Sequence, residues 1–206
     1  MAGAGGGFGH NAPGFGPKVT HFAGASKGGK KAVDVTDEVT NAWDLMLDDS
    51  DPTSWMVAVY SSNGKKVEFK SKGEGGLKGM IAELPEDLVA WAGFRCYGVD
   101  KRGTVVCKRP KFVFVMYKPE NASAMKKAKM APHKGAVKEA MQGAHMDVDV
   151  YDIAEDLEEK SLIDKLQSAC GAHKPNGYEF EEDVFISADF YGLGIGKDAK
   201  GETAST

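Results

Sequence analysis

No apolar run in the 206-residue chain approaches the roughly 18–20 residues that a membrane-spanning helix needs. Its first residues, Met1-Ala2-Gly3-Ala4-Gly5, lack a basic-then-apolar signal pattern and the glycine at position two that myristoylation requires, so neither a signal nor a lipid anchor is expected. Cysteine is scarce: Cys96, Cys107 and Cys170 are odd in number, widely spaced and outside any C-x-x-C. That pattern supports neither a disulfide framework nor a zinc site, and it fits a reducing, cytosolic setting. The five histidines (His10, His21, His133, His145, His173) have no partners at metal-ligand spacing, and His133 is expected on the surface of a Lys-rich helix.

Catalytic signatures are missing as well. No serine sits in a G-x-S-x-G elbow, and Cys170 has no base nearby in sequence. The Gly192-x-Gly194-x-Gly196-Lys197 run lacks the strand, spacing and helix of a phosphate loop. Asp147, Asp149 and Asp152 lack the glycine-bearing loop and terminal glutamate of a calcium site. The expectation is a non-enzymatic protein with no cofactor and no metal.

What is abundant is glycine, 26 residues, and most of it lies at the two ends. Residues 1–31, with Gly7-Phe8-Gly9 and Gly14-Phe15-Gly16, cannot bury enough apolar area to offset the entropy of ordering them, and are expected to be a flexible tail. Residues 32–178 read as one domain, and 179–206 as an acidic and aromatic stretch followed by a Gly-rich C-terminal tail. Within it, Tyr178 to Phe190 is apolar enough to add a strand, dock on the domain or bind another partner.

A net charge of −4 argues against a dedicated nucleic-acid binder, yet the charges are segregated. From Lys101 to Lys138 there are eleven Lys or Arg and one acid, Glu120; from Glu139 to Asp164 there are nine acids and one base, Lys160. Such segregation presents bases to an anionic surface, unless the bases scatter on folding.

Residues 36–47 read as a helix, with Thr36 as cap, Asp37 and Glu38 at the positive end of its dipole, and Val39, Trp43 and Met46 on one face. Trp55 to Tyr60 and Lys65 to Lys70 read as strands joined by a Ser62-Asn63-Gly64 turn. A short helix follows around Leu77–Leu84. Leu88 to Tyr97 and Phe112 to Tyr117 are the most apolar pieces and should form the centre of a sheet, with Val99 to Lys111 a basic, turn-rich connection. Residues 122–142 form a helix that Pro132 either kinks or divides. Met146 to Tyr151 alternates like a strand, and 155–168 read as a last helix with Leu157, Ile163 and Leu166 inward. Hairpins separated by helices give an α/β (α+β) fold with a mixed five- to six-stranded sheet and helices on both faces.

The basic segment is the best functional feature. On an ideal helix Lys127, Lys134 and Lys138 share one side, beside an apolar stripe of Met130, Val137 and Met141. That arrangement suits an ordinary amphipathic helix with solvated lysines, or a protein-binding face of lysine stems and methionines.

The ordered set Phe94-Arg95, Lys108-Arg109-Pro110-Lys111-Phe112, Glu120-Asn121, Met125-Lys126-Lys127-Ala128-Lys129 and Lys134-Gly135-Ala136-Val137-Lys138-Glu139 resembles the coactosin branch of the actin-depolymerising-factor homology (ADF/cofilin) family over roughly residues 34–178. The resemblance implies the ADF-H fold, and binding along filamentous actin without catalysis. It implies a filament-binding role for Lys111 in its Lys108-Arg109-x-Lys111 run, and an actin-gripping role for Lys127 and Lys129 on the long helix, with Lys134 beside them. The acidic surface of actin is the physical reason for cations there. Two features depart from the family: Gln167 and Ser168 stand where coactosins place a lysine pair, and a Gly-rich extension replaces the short segment carrying a regulatory serine. Actin, filamentous by preference, is thus the expected partner of a cytoplasmic, cytoskeletal, monomeric protein that binds neither nucleic acid nor membrane. The alternatives are a severing, depolymerising or monomer-binding factor, and a cytoskeletal or axonemal scaffold anchored through its tails.

Overall fold

The structure, a computed structural model, describes residues 32–171 and 174–188. The N-terminal stretch 1–31, His10, His21, His173 and the glycine run at 192–196 lie outside the described residues. So do the expectations for the N-terminal tail and for the C-terminal tail beyond Ala188.

Chain order is β1 (Asp34–Val35), α1 (Asp37–Leu47), β2 (Trp55–Tyr60), β3 (Lys66–Gly73), α2 (Gly76–Glu83), β4 (Ala90–Arg102), β5 (Val105–Tyr117), α3 (Ala124–Ala140), β6 (Met146–Val150), α4 (Ile153–Asp156), α5 (Glu159–Ala169), β7 (Gly177–Glu179) and β8 (Phe185–Ser187). The main sheet runs β1-β3-β2-β4-β5-β6. The β1–β3 and β5–β6 pairs are parallel and the others antiparallel, so the sheet is mixed. The six-stranded expectation holds for this path, and two further strands extend it, β7 on β4 and β8 on β7.

Alternation along the central strands sends side chains to two separate cores. Val113, Val115, Phe94 and Cys96 join Leu77 and Met80 of α2 and Leu162, Ile163 and Leu166 of α5 on one face. Phe112, Phe114 and Trp91 join Val39, Trp43 and Met46 of α1 and Met130, Val137 and Met141 of α3 on the other. The stripes read from helix spacing on α1 and α3 are thus the buried faces, and Trp43 also donates its indole N–H to the Gln142 carbonyl at 2.6 Å. Fully burying one such side chain contributes about 1.5–3 kcal/mol.

Four local expectations change. Thr36 occupies the N-cap position of α1, but its side chain makes no cap hydrogen bond. Pro132 neither ends nor divides α3, which runs through it as one helix pinned by Met130 and Val137. The last helix is two: Asp152 Oδ1 accepts from the Ala154 N–H at 2.7 Å to start α4, and α5 starts after Leu157 and Glu158. Finally, Val99 to Lys111 is not a turn-rich link. β4 and β5 stay paired residue for residue from Ala90↔Tyr117 to Arg102↔Val105, turning only at Gly103-Thr104. Pro110 is tolerated because β6 pairs β5 only from Val113 onward, leaving the outer edge of the basic half of β5 without a strand.

The Tyr178 stretch both adds strands and docks. Tyr178 and Phe180 are fully buried in the α2/α5 core, stacked with centroids 6.3 Å apart. Folded structure therefore continues past 178 to Ala188. β2 occupies the edge of β4 over Ala90–Phe94, and β7 takes the same edge at Tyr97–Val99.

Candidate functional site

The six cations singled out by sequence fall into two groups: Lys108, Arg109 and Lys111 on β5, and Lys127, Lys129 and Lys134 on α3. On β5, residue parity divides them again. Lys111 and Arg109 share parity with Val113 and face the α2/α5 side, while Lys108 shares parity with Phe112 and faces the α1/α3 side.

Their surroundings differ more than their positions. Lys108 Nζ lies 2.6 Å from Glu179 Oε2 and 3.3 Å from Asp183 Oδ1, so it is clamped by the β7–β8 hairpin. The hydrogen bond to Glu179, followed by that to Asp183, raises the affinity of this ammonium for its proton. Arg109 Nη1 lies 3.7 Å from Asp100 Oδ2, across the strand pair. Lys134 is held by Asp147 at 3.3 Å and Asp149 at 3.7 Å, and Lys138 by Asp147 at 2.8 Å, so the acids of β6 neutralise this end of α3. Lys127 donates to the Glu120 carbonyl at 2.8 Å. Among the described residues, Lys111 and Lys129 make no hydrogen bond or ion pair. Lys111 is half-buried, opposite Cys96, and Lys129 is exposed near the β2–β3 turn at Gly64.

Two neighbours shape the Lys111 environment. His145 Nδ1 accepts the Phe112 N–H at 3.1 Å while the His145 backbone N–H donates to the Phe112 carbonyl at 2.8 Å, closing the edge of β5 where β6 begins. Burial, then the Lys111 charge, lowers the His145 pKa below the usual imidazole value. Beyond Arg109 a hollow of ≈ 310 Å³ is lined by Asp100, Arg102, Val105, Cys107 and Arg109. Arg102 was not among the six; its shared parity with Asp100 on a strand was the missing signal, hidden by reading this segment as turn.

His133 is not a plain surface residue: its Nδ1 lies 3.0 Å from the Tyr60 hydroxyl, and the rings meet edge to face. Among the described residues no group of three or more His, Cys, Asp or Glu could hold a metal ion, and no helix is long and apolar enough to cross a membrane. Gln167 is buried and donates to the Pro175 carbonyl at 2.7 Å.

Comparison with known proteins places these features. The cofilin/tropomyosin-type actin-binding protein family matches residues 32–167. Coactosin of Dictyostelium discoideum is 31% identical over 137 residues, covering 66% of this chain and 89% of that protein. The crystal structure of coactosin from Entamoeba histolytica superimposes with a TM-score of 0.59 at 26% identity, over 68% of this chain and 97% of that one. Mouse coactosin, described as an actin filament binding protein, gives a TM-score of 0.53 at 26% identity, over 68% and 94%. The family match ends at residue 167, before Pro175 and the β7–β8 hairpin.

Proposed function

Because the chain belongs to the cofilin/tropomyosin-type family of actin-binding proteins, we propose that it binds along the sides of actin filaments, without catalysis, through the β5 face centred on Lys111. The observation that carries this reading is the state of that lysine. Lys108, Arg109 and Lys134 each have an acidic partner within 4 Å, whereas Lys111 has none among the described residues. The β4–β5 ladder fixes its backbone, so the position from which it meets an acidic surface is set by the sheet. The mouse relative described as a filament binder supports the filament over the monomer. On this reading the protein works as a monomer on the cytoplasmic actin cytoskeleton.

One observation favours a second reading. Lys129 on α3 is exposed and, like Lys111, has no acidic partner among the described residues; it lies on an element packed on the α1/α3 side, whereas Lys111 faces the α2/α5 side. Two separate basic patches can engage two surfaces, as a severing or depolymerising factor would need.

Co-sedimentation with preformed actin filaments separates the two. Filament-side binding puts the protein in the pellet and leaves actin there, and Lys111→Ala abolishes pelleting without unfolding the domain. Depolymerisation moves actin to the supernatant and depends on Lys129. Unchanged pelleting of Lys111→Ala would remove Lys111 from the site.

A further inference from the structure

Residues 176–188, beyond the family match, contain four acids, Glu179, Glu181, Glu182 and Asp183, and no base. They are fastened to the basic half of the β4–β5 hairpin and its flanks by contacts of several kinds. Asn176 exchanges two hydrogen bonds with the backbone of Lys101, both 2.9 Å. The Lys101 ammonium sits 3.5 Å above the Phe185 ring. Phe185 packs against Gly177, where any Cβ would collide with the ring. Lys78 of α2 reaches Glu181 at 3.5 Å, and the Leu77 N–H donates to the Phe180 carbonyl at 3.1 Å. Burial of Tyr178 and Phe180 makes this a docked element with a fixed register.

That register delivers two carboxylates to Lys108. The Glu179 side chain is only 6% exposed, and among the described residues its ion-pair partner is Lys108. Turning Lys108 outward to a partner would leave a buried carboxylate unpaired, which is strongly unfavourable. Asp183, by contrast, is 85% exposed, at the one described non-glycine position with positive φ. Its charge projects where an acidic partner would approach. One lysine and two carboxylates make this spot net negative, on the strand that carries the cations Arg109 and Lys111 on its other side.

We infer that the β7–β8 hairpin is an intramolecular acidic ligand for Lys108, and that Glu179 and Asp183 set the affinity of the basic half of β5 for an acidic protein surface by neutralising the cation that this strand presents on the side opposite Arg109 and Lys111. The inference rests on the filament-binding reading for its partner, but the clamp itself can be read without actin. A basic partner is disfavoured by Arg109 and Lys111 on the same strand. The hairpin therefore tunes a cationic strand from the side that Arg109 and Lys111 do not occupy.

Two measurements on the full chain test this. Acylation by an N-hydroxysuccinimide ester, mapped by mass spectrometry, reads lysine availability. Lys108 should react several-fold more slowly than Lys111 in the unaltered protein, and Asp183→Asn and Glu179→Gln/Asp183→Asn should progressively remove that difference. Equal reactivity in the unaltered chain would overturn the clamp. Co-sedimentation with actin filaments at low salt reads its consequence. Asp183→Asn, a change at an exposed site that leaves the core intact, should tighten binding about two- to five-fold. The gain should shrink with added salt and vanish in a Lys108→Ala background. Unchanged or weaker binding by Asp183→Asn, with the unaltered protein still pelleting, overturns the affinity-setting role and leaves the filament reading standing. If no form pellets, both that reading and the role built on it fail, while the acylation result still decides the clamp.

Discussion

Gln167 Nε2 donates to the Pro175 carbonyl across 2.7 Å, and both partners are sealed from solvent. The bond joins α5 to the segment that leads into β7, so a residue near the end of the family match anchors the first structure beyond it. Gln167→Ala leaves a buried carbonyl without a donor, which is expected to destabilise by about 1–3 kcal/mol. Gln167→Lys should also destabilise, because it replaces a buried neutral amide with an ammonium that must be desolvated. Urea midpoints at unchanged slope would check both, and a neutral Gln167→Lys would show that Pro175 is not held as described.

Tyr178 and Phe180 carry the same logic into the core. Each is buried to within 1%, and truncating a large buried aromatic removes about 3–5 kcal/mol. Tyr178→Ala and Phe180→Ala should therefore lower the thermal midpoint as much as a change inside the family match, such as Phe94→Ala. Small effects would mean that the hairpin is peripheral, with Phe94 and Cys96 packed well enough without it.

Why was this hairpin only half legible in the sequence? Helix stripes such as Val39-Trp43-Met46 can be read because the 3.6-residue period makes burial visible from spacing alone. Tyr178 lies in a three-residue strand and Phe180 just past its end, interleaved with Glu179 and Glu181, too short a stretch for alternation to be distinguished from chance. The basic half of the β4–β5 hairpin was misread for the converse reason. Its lysines and arginines, with Gly103 and Pro110, are the composition of a loop. What keeps the strand straight is pairing to β4 along its whole length, which no local pattern encodes. The candidate cations are legible as a basic run. Which of them are already paired depends on Glu179, Asp183, Asp147 and Asp149, residues up to 75 positions away.

Gly76 gives a backbone test of the same docking. It has φ of +58°, and a Cβ there would run into the Phe180 carbonyl oxygen. Gly76→Ala must both adopt the left-handed region and push the C-terminal segment away. A loss of at least about 1–3 kcal/mol is expected, together with faster amide exchange at Leu77, whose N–H is bonded to that carbonyl. A tolerated alanine would contradict the close approach of these two backbones.

Lys134 and Lys111 should separate cleanly in function. Lys134 is held by Asp147 and Asp149, so Lys134→Ala is expected to change stability by no more than about 1 kcal/mol and to leave filament pelleting near that of the unaltered protein. Lys111→Ala should do the reverse, keeping the melting curve and losing the pellet. If Lys134→Ala abolishes binding instead, the α3 patch is the principal site and the depolymerising reading gains.

His145 ties stability to pH at the same strand end. Its Nδ1 must be unprotonated to accept the Phe112 N–H. Burial first, and the neighbouring Lys111 charge second, lower its folded-state pKa below the ordinary 6.5. His133 is lowered in the same order, by burial and then by Lys129. For a histidine depressed on folding, the unfolded chain binds the proton more readily. The stabilisation is then complete above the unfolded value and is lost as pH falls through it toward the folded one. The domain should accordingly resist urea better at pH 7.5 than at pH 5.5. Glu38, Asp48 and Asp51, shifted below their ordinary values of 4.5, 3.8 and 3.8, change charge only at more acidic pH. His145→Asn supplies an amide oxygen in place of Nδ1 and cannot titrate. It should keep the Phe112 contact and flatten part of the pH dependence, leaving the share that belongs to His133. An unaltered slope in His145→Asn would mean that the Phe112 bond survives protonation, through a flipped ring or a shifted strand end. The edge of β5 beside Lys111 would then be looser than this geometry requires.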